Sequence, residues 1–198
     1  MVSAALTTSL RDTLRAGLSV VSELWNYRAK DWVTSVHAVD INNDSDLEII
    51  ACSRDGRVRL LNKEGECLWE RIIGSKAWVG AITGIPIQEN KDNPVRIIAG
   101  TRDGKVYALD QNGRTVGKDG TVYDFDKGGR ALERDKEVAA YWLDTGAGSV
   151  IRQVFANPAL SPDVIIGSQD GFAYALNYET GDLHWKFFCE RVGTRSVR

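Results

Sequence analysis

The stretch Ala175-Leu176-Asn177-Tyr178-Glu179-Thr180-Gly181-Asp182-Leu183-His184-Trp185 decides how this chain of 198 residues is read. A short apolar run closes on a polar turn containing Gly181, and a second run carries Trp185. That is a strand, a tight turn and a returning strand. Weaker copies stand earlier, as Leu60-Leu61-Asn62-Lys63-Glu64-Gly65-Glu66-Cys67-Leu68-Trp69 and as Ala108-Leu109-Asp110-Gln111-Asn112-Gly113. An Asp-Gly turn precedes each copy, at Asp55-Gly56, Asp103-Gly104 and Asp170-Gly171. Self-similarity at this spacing marks a repeat architecture, in which each unit buries its apolar face against the next.

Outward from these copies the units fill in. Trp32 to Val39 alternates and is rich in β-branched residues, and Glu48 to Cys52 is a second strand. The Ser53-Arg54-Asp55-Gly56 turn leads to Val58 to Leu61, and the Gly65 turn to Cys67 through Ile72. Four short strands joined by turns make an antiparallel meander. A second unit opens at Trp78 and a third near Ser149. The Asp-Gly turns are 48 residues apart between Asp55 and Asp103, but 67 apart between Asp103 and Asp170. The excess falls in a polar insert at 113–138, where Thr121 to Phe125 reads as an extra hairpin strand; Tyr141-Trp142-Leu143 then supplies a delayed fourth strand. Inserts in repeat proteins emerge on one face and often carry contacts, so this one is a candidate partner surface.

Residues 1–24 differ in character. Leu6, Leu10, Leu14, Leu18 and Val21 recur every three or four positions with Arg11, Asp12 and Arg15 between them, which predicts one amphipathic helix. Thr8 or Ser9 is placed to cap it. Such a helix packs on the body of the protein or serves docking and self-association.

Composition narrows the function. With 43% hydrophobic and 26% charged residues the chain is an ordinary globular one. A formal charge of −2 gives no electrostatic case for nucleic acid or an anionic membrane. No apolar run reaches the roughly 18 residues that cross a bilayer. Arg11 and Arg15 interrupt what would be the apolar core of a signal peptide, and the three cysteines are odd in number and widely spaced. The expectation is a cytoplasmic, reducing environment. For catalysis no residue set is found: there is no Gly-x-Ser-x-Gly, no His beside a nucleophile, and no His-carboxylate metal cluster. The chain is therefore expected not to be an enzyme.

Four strands per unit of roughly 40 to 50 residues is the pattern of a β-propeller blade. Ala175 to Trp185 resembles the tryptophan-docking motif of pyrroloquinoline-quinone-type propellers, Ala-x-Asp/Asn-x-x-Thr-Gly-x-x-x-Trp, at every defined position. The acidic phrase Asp40-Ile41-Asn42-Asn43-Asp44-Ser45-Asp46-Leu47-Glu48 resembles the FG-GAP repeat of integrin-like propellers. The resemblance covers about Trp25 to Arg198 and implies an all-β fold. That fold is a partial β-propeller of about three four-stranded antiparallel blades at 32–73, 78–144 and 149–190, with 191–198 starting a further strand. It also implies structural docking roles for Trp69, Trp142, Trp185, Gly181 and Ala175, since a Trp on an outer strand stacks over the next blade's turn. From the FG-GAP resemblance come calcium ligands at Asp40, Asn42, Asp44 and Glu48, with the backbone carbonyl of Asp46. Oxygen-bearing side chains at alternate positions do suit a hard cation such as Ca²⁺, and they equally suit an Asx-rich turn with no metal. Three blades cannot supply the full disc that a quinone cofactor needs, so no cofactor other than Ca²⁺ is implied.

Closed propellers need about four blades or more, because open sheet edges invite pairing. The expected function is a non-catalytic protein-binding or scaffold module completed by a protein partner or by homo-oligomerisation, with no nucleic acid and no membrane. The alternative is a sensory propeller that binds calcium or a small ligand.

Overall fold

The computed structural model describes residues 24–74, 77–87, 95–134, 136–146, 149–156 and 163–189. The helix expected within 1–24, apart from Leu24, and the further strand expected at 191–198 lie outside the described residues. The described chain is all-β, and none of its helices is long and apolar enough to cross a membrane.

Blade 1 is the meander β1 (Val33–Val39), β2 (Glu48–Ser53), β3 (Arg57–Leu61) and β4 (Cys67–Ile72), paired in chain order. Its central hairpin turns on Asp55-Gly56: Gly56 takes φ 76°, and Asp55 Oδ1 accepts from the Arg57 amide at 3.1 Å. Blade 3 repeats the plan with β13 (Ile151–Ala156), β14 (Asp163–Ser168), β15 (Phe172–Asn177) and β16 (Leu183–Phe188).

Blade 2 starts the same way, with β5 (Val79–Pro86), β6 (Val95–Thr101) and β7 (Lys105–Leu109), but its sheet grows to eight strands. The fourth strand is divided. β8 (Thr115–Val116) pairs one end of β7 through Leu109, and β12 (Leu143–Asp144) pairs the other end through Val106 and Lys105. Between the halves the insert continues the sheet outward as β9 (Val122–Phe125), β10 (Ala131–Glu133) and β11 (Lys136–Glu137). The insert does not hang free. It turns back over blade 1, where Gly129 lies against Ile72, and Phe125 packs edge-on to Tyr107 with ring centroids 6.0 Å apart.

Two apolar cores lie between the blades. Val39, Ile50, Val58 and Leu60 of blade 1 meet Val79, Ile82, Ile97 and Leu109 of blade 2. On the other side Ile85, Ile98, Val106 and Trp142 meet Ile151, Val164, Ile166 and Leu176 of blade 3. Blade 2 is thus buried on both faces, which explains why every residue of β6, Val-Arg-Ile-Ile-Ala-Gly-Thr, is buried where a one-sided strand would alternate. Each fully buried Ile or Leu stabilises the stack by about 1.5–3 kcal/mol. In blade 1 the buried guanidinium is paired: Arg59, 1% exposed, donates to Ser53, Asp55 and Glu70. Burial alone would raise the Asp55 pKa, but its bonds to Arg59 and Ser53 outweigh that and hold it below the usual carboxylate range.

Candidate functional site

Each seam between neighbouring units is closed by one tryptophan over one glycine turn. Trp69, on outer strand β4, lays its six-membered ring across Gly113 of blade 2, and its Nε1 donates to the Gln111 carbonyl at 2.9 Å. Gly113 has φ 75°, and a Cβ there would stand 3.0 Å from the ring, so both the left-handed turn and the contact require glycine. The same geometry appears one step earlier. Trp25 covers Gly65 of blade 1 (φ 82°), with its Nε1 donating to the Lys63 carbonyl at 2.8 Å. In both cases the accepting carbonyl lies two residues before the glycine, so the indole reads a fixed turn shape and not a side chain.

Trp142 makes the third dock and changes it. Its ring covers Gly181 of blade 3, where a Cβ would strike the indole, but Nε1 donates back to the Val116 carbonyl of β8 at 2.9 Å. Because the insert separates Trp142 from β8, the ring ties the two halves of the divided fourth strand together while it covers the next blade. Trp142 is 1% exposed. Arg96 lies over it, with Cζ 5.7 Å from the ring centroid, and the Arg96 Nε and Nη1 atoms are buried with no hydrogen-bond partner. Burial lowers the Arg96 pKa, with Asp110 and Glu179 opposing the shift.

Trp185 occupies the equivalent place on β16, beside the fully buried Ala175 in the register of β15 and β16. It faces out at 44% exposure, and among the described residues its indole N–H has no acceptor. All six residues of β16 are exposed, including Leu183, Phe187 and Phe188. β4, which has a neighbour, is exposed only at its first two positions. Trp69, Trp142 and Gly181 are therefore brought into docks, and Trp185 and Ala175 form the matching half of a dock.

The acidic loop is organised from within. Asp40 accepts from the amides of Asp44 and Ser45, Asn42 bridges to Asp44, and Asp44 accepts from the Asp46 amide at 2.8 Å. Asp46 is ion-paired to Lys63 at 2.6 Å, and Glu48 is turned inward onto the Ile41 amide. Backbone bonds to Asp46 and the Asn42 side chain lower the Asp44 pKa. Among the described residues no three His, Cys, Asp or Glu side chains form a group that could hold a metal ion.

Trp25 was not singled out from the sequence as a docking residue, although Leu24-Trp25 is spelled like Leu68-Trp69 and carries the signal. Also missed was the pairing of Trp32 with Arg54 and of Trp78 with Arg102, whose signal is the shared Arg-Asp-Gly of the two turns.

Solved structures place this architecture. BamB from Moraxella catarrhalis superposes with a TM-score of 0.51 at 22% identity over 83% of this chain and 39% of that one. BBS1N, solved in complex with ARL6DN, gives a TM-score of 0.53 at 15% identity over 83% and 42%. The computationally designed Ika4 protein gives 0.55 at 17% identity over 85% and 81%. At these identities the likeness is one of fold, and the chain spans less than half the length of the BamB and BBS1N chains. No curated protein sequence matches. Residues 21–128, covering blade 1, the start of blade 2 and β9, match the family model described as the lambda-carrageenase beta-propeller domain. Blades of four antiparallel strands, joined by tryptophan docks and matched over more than half the chain, make this protein a member of the lambda-carrageenase β-propeller domain family.

Proposed function

We propose that the chain is a non-catalytic interaction module that receives a further propeller blade on the outer edge of blade 3. One observation carries this reading: among the described residues Trp185 is a docking tryptophan with no turn to cover, on a strand exposed along its whole length. Exposed apolar edges of this kind pair with another sheet. The other docks define the occupant chemically. It is a strand-turn-strand with a left-handed glycine and, two residues earlier, a carbonyl placed to accept an indole N–H, as those of Lys63 and Gln111 do. A second copy of this chain is a poor occupant, because its blade 1 turn at Gly65 already lies under its own Trp25. The partner is then a blade from another polypeptide or from sequence outside these residues. We further propose that the blades join in the manner of pyrroloquinoline-quinone-type propellers. The neighbour BBS1N, a propeller-like chain solved with a protein partner, supports an interaction role.

The test is sedimentation of the isolated chain, wild type and Trp185→Ala. The expected result is no closed assembly that depends on Trp185. A stable dimer abolished by Trp185→Ala would make a second copy the occupant. Release of reducing ends from lambda-carrageenan by the purified chain would replace the non-catalytic reading with the activity for which the family model is named.

A further inference from the structure

We propose that the cleft where the starts of β1, β5 and β13 meet is a binding site for a tetrahedral oxyanion, such as the phosphate or sulfate ester of a small ligand. β1 and β13 both pack on β5, so their first residues converge. A cleft of about 410 Å³ opens there, lined by Arg54, Arg102, Arg152, Trp78, Thr34 and Gln169 among others, with no acidic residue in its wall. The whole chain carries 27 acidic and 25 basic side chains, so three arginines without a carboxylate are a marked segregation of charge.

The cations are held in place by the repeat itself. The Arg54 amide donates to the Trp32 carbonyl at 3.0 Å and the Arg102 amide to the Trp78 carbonyl at 2.8 Å, equivalent bonds in blades 1 and 2. Each guanidinium then stacks on indole. Arg54 Cζ is 4.0 Å from the Trp32 centroid and 4.6 Å from that of Trp78, and Arg102 Cζ is 4.2 Å from Trp78. The two guanidinium carbons are therefore no more than about 9 Å apart, within a Debye length at physiological salt. Stacking satisfies the faces of a guanidinium and leaves its N–H edge for planar, charge-assisted hydrogen bonds. Among the described residues none of Arg54, Arg102 and Arg152 has a carboxylate within salt-bridge distance.

Blade 3 varies the theme in a way that adds to the site. Val150 and Gln169 replace the Trp-Arg pair, joined by the same backbone bond at 3.0 Å. The third cation comes instead from Arg152, which sits at the register shift between Ile151 and Gln153. Blades 1 and 2 have shifts at the matching places, between Val33 and Ser35 and between Val79 and Ala81. Bulges of this kind re-aim a side chain. Here Arg152 lines the cleft beside Gln169, whose amide, turned so that its oxygen faces the guanidinium, accepts from Nε at 2.9 Å and from Nη2. Three like charges are thus fixed by backbone, indole and amide contacts, and an anion relieves their mutual repulsion.

This surface is separate from β16, so the proposal stands or falls apart from the docking edge. The experiment is side-chain NMR of ¹⁵N-labelled full-length chain titrated with sodium sulfate and sodium phosphate, against sodium acetate and a glutamate-rich peptide at matched ionic strength. The expected result is saturable movement of the Arg54, Arg102 and Arg152 Nε–Hε signals with sulfate or phosphate and little with acetate. The tighter of the two ions names the ester class. The Arg54→Gln/Arg102→Gln double variant should weaken binding at least about tenfold while melting like the wild type, and Arg54→Lys, which keeps the charge without the fork, should fall between. Shifts that never saturate, an equal response to acetate, or preference for the peptide would overturn the proposal. So would unchanged binding by a folded double variant; if that variant does not fold, the wild-type titration decides alone.

Discussion

Replacing Trp69 by alanine removes a closed dock, whereas replacing Trp185 removes an open one, and the difference between the two is calculable. A Trp or Phe core truncation costs about 3–5 kcal/mol, and Trp69 is only partly buried, so the lower end applies. Its bond to the Gln111 carbonyl is included in that loss, at about 1 kcal/mol. For a domain of this size each kcal/mol moves Tm by about 2–4 °C, so Trp69→Ala should lower Tm by about 6–12 °C. Trp185, 44% exposed and without a dock among the described residues, should cost less than about 1 kcal/mol and less than about 4 °C. Gly113→Ala probes the same seam from the other side, through a φ of 75° and a ring 3.0 Å from the new Cβ. Combined with Trp69→Ala it should cost less than the sum of the two single changes, since the contact with the ring disappears while the one with Arg71 Cγ at 2.9 Å and the φ strain remain. Thermal melts followed by far-ultraviolet circular dichroism measure all four variants. Equal Tm losses for Trp69→Ala and Trp185→Ala, or strict additivity of the Trp69-Gly113 pair, would refute the docking account.

Acid should attack the Arg59 network first. The folded Asp55 pKa lies below its ordinary value of about 3.9. Its contribution is therefore fully present above about pH 4 and lost as pH falls through the lower folded value. Asp55→Asn should reduce stability at pH 7 by about 3 kcal/mol and flatten this acid-side loss in urea titrations. Arg96→Met removes a buried guanidinium with two unpartnered nitrogens, so it should leave urea stability unchanged or raise it by about 1–3 kcal/mol. For the acidic loop, whose Asp44 and Asp46 already face Asn42 and Lys63, millimolar calcium should move Tm by less than about 1 °C; binding at a hundred times Kd would add about 2.7 kcal/mol and be obvious in the same melt.

The blades were legible because hairpin chemistry is local. Asp55-Gly56, Asp103-Gly104 and Asp170-Gly171 announce their turns, and the docking motif marks Trp69, Trp142 and Trp185, though not which glycine each covers. What was not legible depends on contacts between units. Nothing in the spelling of Thr115-Val116 says that two residues form half of a fourth strand whose other half follows at Leu143-Asp144, since an interrupted strand has no period to read. The insert, a candidate partner surface by sequence, lies against blade 1 where Gly129 leaves room for Ile72, a contact with no sequence signature. The acidic loop alternates as a cation loop would, and the ion pair of Asp46 with Lys63 from the adjacent hairpin could not be read from that spacing. The arginine-tryptophan ladder needs three strand starts to converge, so its members lie in separate units of the chain.

The central claim is that the edge bearing Trp185 accepts a blade from outside these residues. The most direct measurement puts a photo-activatable benzophenone side chain at position 185 of the chain expressed in its native host, followed by mass-spectrometric mapping of the crosslink. The account predicts attachment to a glycine turn between two strands that is not part of this sequence, and loss of that product when the turn glycine is replaced by valine. Attachment to the Lys63-Glu64-Gly65 turn of a second copy, or an edge that stays uncrosslinked, would contradict it.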